Sequence, residues 1–171
     1  MLYYKNQRFL VGLIFLLLIS FVFSSCSKPK WKKLAVKGTR VEVSFPVKPI
    51  QTSKTLRDPR IGNAKYDYIS VNSDNVFYSI SVLQAKDEEM IFKIDDLSPR
   101  SMLRKGAKLT RVRTISVDGV EGKEFLLKYT GRKIKQRMFV DSNKIYTAIV
   151  IYTHRDRLEA KKFLRSVHFK K

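Results

Sequence analysis

The chain has 171 residues, of which 44% are hydrophobic, so it is long enough and apolar enough to form one globular domain. Its 35 Lys and Arg side chains outnumber 15 Asp and Glu, which gives a formal net charge of +20. An excess of this size predicts an anionic partner or surface. A single cysteine excludes a disulfide framework within the chain and a Cys-x-x-Cys metal or redox motif.

The first 26 residues have the pattern of a bacterial export signal. Lys5 and Arg8 supply positive charge, residues 9–23 form an almost unbroken apolar run, and residues 24–26 read Ser-Ser-Cys. A basic start, a short apolar stretch and small residues before a cleavage point are typical of a secretory signal peptide.

The sequence around Cys26 resembles the lipobox of bacterial lipoproteins. In those proteins the cysteine receives a diacylglyceryl thioether, with fatty acids such as palmitate, and becomes the mature N-terminus. The resemblance implies that residues 1–25 are a signal peptide and that Cys26 carries a lipid anchor. Phe23 stands where the commonest lipobox has Leu, which is similar to spirochaete lipoproteins. Ser27 is not the Asp associated with inner-membrane retention, so the resemblance favours the outer membrane and leaves the leaflet open.

Two other interpretations of this segment remain open. An uncleaved transmembrane anchor needs about 20 apolar residues, and the run at residues 9–23 is shorter. A simple secretory signal would leave Cys26 as a reactive free thiol on an exported protein. Lipidation therefore accounts best for the position of the cysteine.

Residues 26–40 are predicted to form a basic tether between the lipid and the domain. This segment contains no acidic residue and six cations: Lys28, Lys30, Lys32, Lys33, Lys37 and Arg40. Because a basic segment strengthens the membrane binding of an acyl anchor, the tether either lies against anionic head groups or is a solvated linker. Trp31 either sits at the membrane interface or folds back onto the domain.

Residues 41–171 are predicted to form a single domain that consists mostly of strands. Apolar side chains recur with a period of two, and polar turns separate the runs. We expect a strand at 41–47 and hairpins at 66–71 with 76–83, 110–117 with 120–129, and 133–140 with 145–152. The last four of these strands should form an antiparallel meander, with 145–152 central and covered on both faces. Residues 48–63 contain two prolines and predict a loop with at most a short strand.

Two helices and a final strand complete the prediction. Ser98 and Pro99 can start a helix that ends near Gly106, and residues 87–96 could begin that helical region with Met90, Ile91 and Ile94 facing inward. An apolar stripe predicts a second helix over residues 155–165. A short strand over residues 166–169 should close the sheet.

An antiparallel sheet whose helices are segregated from its strands along the chain belongs to the α+β class. The pattern over residues 41–169 resembles the Mog1/PsbP-like group. The residues that carry the resemblance are Ser44-Phe45-Pro46, Gly119, Gly122-Lys123-Glu124, Arg137, Tyr146, Phe163-Leu164-Arg165-Ser166 and Phe169. The resemblance implies an antiparallel meander layered with two helices, an α/β/α sandwich, and a role in binding or assembly without a shared catalytic site.

The motifs that would indicate catalysis, a cofactor or a metal are missing from the sequence. Gly119 and Gly122 do not have P-loop spacing, and no Gly-x-Ser-x-Gly elbow occurs. The two histidines, His154 and His168, have no metal-ligand spacing. Five acids between 87 and 96 lack the order of a calcium loop. We therefore predict a protein that is not an enzyme, with no cofactor and no metal.

The basic clusters are the remaining candidates for a site. Lys133, Lys135 and Arg137 share a strand face, as do Arg111 and Arg113. Residues 132–135 also match the basic-basic-x-basic pattern seen where sulfated polysaccharides bind. The candidate anion-binding residues are Arg132, Lys133, Lys135 and Arg137 on the strand, and Lys161, Lys162 and Arg165 on the last helix, which also carries Arg157. The alternative is a solvated surface that keeps the protein soluble.

The sequence therefore predicts a non-enzymatic lipoprotein of the cell envelope, held on a membrane by its lipid. Its basic domain would bind an anionic phospholipid, lipopolysaccharide, glycosaminoglycan or acidic protein. Export makes nucleic acid an unlikely partner. The alternative function is an assembly or chaperone-like factor for envelope proteins that uses the aromatic side chains Tyr66, Tyr68, Phe77 and Tyr78 on the sheet.

Overall fold

A computed structural model describes residues 30–58, 62–87 and 89–170. Cys26 and the apolar run before it lie outside the described residues, so the signal peptide, the lipid and the membrane location stay predictions. Within the described part of the chain, no helix is both long enough and apolar enough to cross a membrane.

The described residues form two antiparallel sheets and two short helices. The strands are β1 (Lys32–Ala35), β2 (Val41–Phe45), β3 (Ile50–Asp58), β4 (Gly62–Ser73), β5 (Val76–Ala85), β6 (Lys108–Val117), β7 (Val120–Tyr129), β8 (Arg132–Asp141), β9 (Lys144–Tyr152) and β10 (His168–Phe169). The helices are α1 (Arg100–Arg104) and α2 (Arg157–Arg165), and Ile94–Asp96 form a single 3-10 turn. The strand orders are β1-β2-β10 and β3-β4-β5-β9-β8-β7-β6. The predicted α+β class and the meander are confirmed.

Tight turns join the predicted hairpins. Asp118 and Gly119 have φ of 51° and 81° between β6 and β7, and Asp74 and Asn75 have φ of 50° and 65° between β4 and β5. Two consecutive residues with positive φ match the twist of the flanking strands, and Asp, Asn and Gly tolerate that backbone best. The pairings of β4 with β5, β6 with β7 and β8 with β9 confirm the three predicted hairpins. β7 has its predicted bounds, and the other five strands extend one to four residues beyond theirs.

β9 is the fourth strand of seven, as predicted, and both of its faces are apolar. On one face its buried side chains join a core that α2 covers with Ala160, Phe163 and Leu164. On the other face, Ile145, Ile149 and Ile151 pack in a second cluster with Leu97 and Met102, near α1. Each face of the central strand thus has its own hydrophobic cluster.

The loop prediction for residues 48–63 was wrong, because Ile50–Asp58 form β3 at one edge of the larger sheet. Nearly all of the side chains of β3 are exposed, so the sequence shows no alternation of apolar and polar residues. An edge strand with both faces in water leaves little pattern to detect.

The helix predictions need three corrections. Residues 87–96 contain one 3-10 turn where we expected a longer helical segment, and Ile91, expected to face inward, is 71% exposed. α1 begins at Arg100, with no side-chain hydrogen bond capping its start, so the predicted Ser98 cap is not formed. α2 begins at Arg157, two residues later than predicted.

The two ends of the folded part also differ from the prediction. β10 pairs with β2 in the smaller sheet and does not close the larger one. Lys32–Ala35, assigned to the tether, form β1 and pair with β2, and Lys33 forms an ion pair with Glu42. The compact unit therefore starts at Trp31, and both core clusters lie within it. Trp31 folds back onto this unit, where its ring meets Tyr78 edge-on at 5.7 Å.

Candidate anion-binding site

The register of the meander aligns charged side chains in one row. Arg113 on β6 lies opposite Glu124 on β7, and Glu124 lies opposite Arg137 on β8. Residues opposite each other on neighbouring strands point to the same face. Lys135 lies two residues before Arg137 and therefore shares this face. The row lies on the face that α2 covers.

Glu124 is the centre of this row and is only 6% exposed. One carboxylate oxygen, Oε1, accepts hydrogen bonds from Arg113 Nε at 2.9 Å and lies 2.8 Å from its Nη2. The other, Oε2, accepts from Arg137 Nε at 2.7 Å, and Lys135 Nζ lies 3.9 Å from Oε1. Both oxygens of the buried carboxylate are therefore satisfied.

The ionisation of Glu124 follows from these contacts. Burial by itself raises the pKa of the Glu124 carboxyl, but the hydrogen bond from Arg137 and the charges of Lys135, Arg137 and Arg113 outweigh it. The net effect holds the pKa of Glu124 below its ordinary value. The carboxylate is thus charged at neutral pH and neutralises part of the cationic row.

Arg137 also connects the sheet to α2. Its Nη1 donates a 2.8 Å hydrogen bond to the carbonyl oxygen of Leu164, in the last turn of the helix. Carbonyl groups in a last helical turn have no partner within the helix. Arg137 therefore satisfies one of them and fixes the end of α2 above β8.

A groove of about 250 Å³ lies between α2 and the strands. Six cationic side chains line it: Arg113, Lys135 and Arg137 from the sheet, and Arg157, Lys161 and Arg165 from the helix. The helical cations recur every four residues, which places them on one side of α2, and all three are exposed. Within the described part of the chain, Glu124 forms ion pairs with the three strand cations, and no ion pair of the three helical cations is found. The cluster therefore keeps an excess of positive charge.

The pKa of Lys135 depends on its burial and on the neighbouring charges. Burial lowers the pKa of its ammonium group, Glu124 raises it, and the neighbouring Arg137, Arg113 and Arg157 lower it further. The net shift is downward. A negative group bound in the groove would favour the protonated form, so the site is electrostatically suited to an anion.

The structure brings together four of the seven predicted binding residues: Lys135, Arg137, Lys161 and Arg165. Arg132 and Lys133 lie elsewhere, in a cavity of about 400 Å³ around the β7–β8 turn that Lys108 and Lys128 also line. Lys162 lies on another side of α2, with its Nζ 4.6 Å from the centre of the Trp31 ring. The seven residues therefore do not form one site.

Two groove residues, Arg113 and Arg157, were not among the predicted binding residues, and neither was Glu124, which pairs with the strand cations. The sequence placed Arg113 on a strand face and Arg157 on a helix side, but not against β8. The ion pairs of Glu124 depend on the alignment of three strands. The Asp118-Gly119 turn fixes the register of β6 against β7. It was the one sequence feature from which the pairing of Arg113 with Glu124 could have been predicted.

The two histidines and the acidic residues were the other polar candidates for a functional site. His168 Nδ1 lies 3.2 Å from Asp118 Oδ2, which also accepts the backbone N–H of Phe169 at 2.9 Å, and this joins the β6–β7 turn to β10. His154 is exposed. Among residues 30–58, 62–87 and 89–170, no group of three or more His, Cys, Asp or Glu side chains could hold a metal ion.

An apolar cavity of about 320 Å³ lies on the face of the larger sheet that carries the second core cluster. It is lined by Tyr68, Phe77, Met102, Lys105, Ala107, Tyr129, Ile134 and Ile151. Next to it Tyr66 and Tyr68 stack with their ring centres 6.2 Å apart. Tyr78, in contrast, is buried on the opposite face. Three of the four predicted aromatics are therefore partly accessible.

Comparison with known proteins shows the fold and little more. No protein-family model matches this chain, and no curated protein matches it. The solution structure of cyanobacterial PsbP (CyanoP) from Synechocystis sp. PCC 6803 superimposes with a TM-score of 0.55 at 12% identity, covering 86% of this chain and 96% of that one. A Pseudomonas aeruginosa protein of unknown function, a putative regulator, reaches 0.35 at 10% identity, covering 77% and 88%. The fold is thus similar to that of PsbP, as the sequence resemblance implied.

Replacing Glu124 by Gln should destabilise the protein in a pH-dependent way. The folded-state pKa of Glu124 is lowered, so its stabilising contribution is present above the unfolded pKa, near 4.5, and is lost as pH falls through the folded value. We expect Glu124→Gln to lower the free energy of unfolding by roughly 1 kcal/mol or more at neutral pH. The difference from the wild type should shrink below about pH 4.5.

Denaturant unfolding between pH 3 and pH 7 measures this difference, at roughly one-unit steps. Glu121→Gln is the matched control, because Glu121 lies on the same strand with an exposed side chain. A Glu124→Gln difference that stays constant over this range would contradict the assigned ion pairs.

Proposed function

We propose that this chain is a non-enzymatic lipoprotein of the cell envelope, anchored through Cys26, whose basic groove binds an anionic group. The observation that carries the proposal is the cluster of six cations around the groove between α2 and the meander. The chemistry of the groove suits phosphate and sulfate groups, because guanidinium groups bind their oxygens in pairs and ammonium groups add compact charge.

Two features favour binding over mere solubility. Cations that only solubilise a protein are dispersed over its surface, whereas these converge on one concave site from β6, β8 and α2. Lys135 also lies close to Arg137, Arg113 and Arg157, whose positive charges add to the effect of burial in lowering the pKa of its ammonium group, and a bound anion would offset those charges.

The expected ligands are components of the envelope. A protein exported through the signal at residues 1–25 would meet phospholipids, lipopolysaccharide, surface polysaccharides and acidic envelope proteins. The outer membrane is the favoured location, because Ser27, the residue after Cys26, is not the Asp associated with inner-membrane retention. Within this proposal the domain is the layered α/β/α sandwich of the Mog1/PsbP-like group, and it binds a ligand without transforming it.

A second candidate function is the assembly or chaperone-like role. The apolar cavity next to the stacked Tyr66 and Tyr68 rings favours it, because partly exposed aromatic side chains are common in protein-binding surfaces. The two functions use opposite faces of the larger sheet. Binding of an envelope protein that is insensitive to changes in the cationic groove would favour the second.

Neutralising the helical side of the groove should weaken polyanion binding more than removing the same charge elsewhere. We expect Lys161→Gln with Arg165→Gln to elute from a heparin column at clearly lower salt than the wild type. The matched control is Lys86→Gln with Lys93→Gln, which removes two exposed cations from the segment before α1. Equal shifts for the two double variants would mean that net charge alone determines binding.

The lipid anchor is tested at Cys26. Cys26→Ala should abolish labelling by radioactive or clickable fatty acid and leave unprocessed precursor, because the thioether needs this thiol and the chain has one cysteine. Mass spectrometry of the mature wild type should find Cys26 modified and residues 1–25 removed. A mature protein that retains those residues and carries no lipid would rule out the anchor.

A further inference from the structure

We propose that α2 is the membrane-facing surface of the domain, with the side chain of Leu158 inserted among the head groups of an anionic phospholipid bilayer. The proposal rests on the proposed lipid at Cys26 and adds an orientation to it. Three independent observations on the helix, its charges and the start of the folded chain support it.

The first observation is the exposure of Leu158. At 78% it is the most exposed of the large hydrophobic side chains that the structure describes. α2 already buries Ala160, Phe163 and Leu164 on its opposite side, so Leu158 does not serve the core. Inserted into the boundary between head groups and acyl chains, it would remove apolar area from water.

The second observation is the charge around Leu158. Lys161 and Arg165, at i+3 and i+7, flank it on the side of the groove, and Lys162, at i+4, flanks it on the side of Trp31. An exposed apolar side chain flanked by cations offers the two contributions that bind peripheral proteins to membranes, which are burial of apolar area and attraction to anionic lipids. Each such cation near an anionic bilayer adds to binding, and salt weakens the attraction.

The third observation is the position of Trp31. Its ring contacts Tyr78, and Lys162 of α2 lies over it at 4.6 Å. The folded chain therefore starts beside α2, and in the sequence the proposed lipid precedes that start by five residues.

The same orientation would place the groove beside the head groups. Lys161 and Arg165 line the groove and also belong to the exposed side of the helix around Leu158. A phosphate group of a lipid could therefore enter the groove while Leu158 inserts. The apolar cavity on the other face of the sheet would point away from the bilayer and stay free.

The test uses the lipidated full-length protein in anionic vesicles of phosphatidylglycerol and phosphatidylcholine. Because the thioether blocks Cys26, a new cysteine is the single site for a polarity-sensitive fluorophore. We expect a label at Leu158→Cys to shift to the blue and to be quenched by brominated lipids. A label at Ile91→Cys, also on an exposed hydrophobic position at 71%, should show neither effect.

A second measurement uses acyl-free protein that begins at Ser27, so that neither the lipid nor the apolar segment at residues 9–23 contributes to binding, while the compact unit from Trp31 onward is kept whole. Leu158→Ser should weaken its binding to anionic vesicles about tenfold, whereas Ile91→Ser should leave the affinity unchanged. Equal quenching at both positions, or none at 158, would overturn the orientation even where the lipid is present. Absence of the lipid by mass spectrometry would instead overturn the proposed anchor, so the two failures can be told apart. Binding of the acyl-free protein to heparin but not to vesicles would also reject the membrane surface.

Discussion

The buried carboxylate of Glu124 imposes the constraint on which the charged half of the domain depends. A carboxylate that is 6% exposed is costly unless cations and hydrogen-bond donors compensate it. Arg113 and Arg137 do so from the two neighbouring strands. The Nη1 group of Arg137 remains available and donates a hydrogen bond to the carbonyl oxygen of Leu164. This ion-pair network thereby joins the end of α2 to the meander, in addition to the core packing of Ala160, Phe163 and Leu164.

The groove is a consequence of that arrangement. The helix is held above β8 with Arg157, Lys161 and Arg165 on the side that faces the strand cations. Six positive groups around one carboxylate repel one another in the free protein, and three of these charges add to burial in lowering the pKa of Lys135. Part of the folding free energy therefore maintains a site that an anion would stabilise. α2 also exposes Leu158, so this one helix could determine both anion binding in the groove and the orientation of the domain on a membrane.

The sequence predicted those parts of the fold that local chemistry determines. Turns such as Asp118-Gly119 have few alternatives, and the apolar side chains on both faces of residues 145–152 indicated a central strand. β3 and β1 were missed because exposed or basic side chains mask alternation, although backbone pairing still makes them strands. For the site, strand alternation placed Lys135 with Arg137, and helix spacing placed Lys161 with Arg165. Which strand α2 would cover, and that Lys162 would lie over Trp31, depends on packing between distant segments and could not be predicted.

The central claim is that the groove is a site for an anion, and the ammonium group of Lys135 reports on it most directly. Lysine-selective NMR can measure the pKa of this group with and without inorganic sulfate, at constant ionic strength. The account predicts a pKa below the ordinary value of 10.5 in the free protein and an upward shift when sulfate is added. Lys54, on the exposed edge strand β3, should not respond. A Lys135 pKa at its ordinary value, or one that sulfate leaves unchanged, would contradict the account.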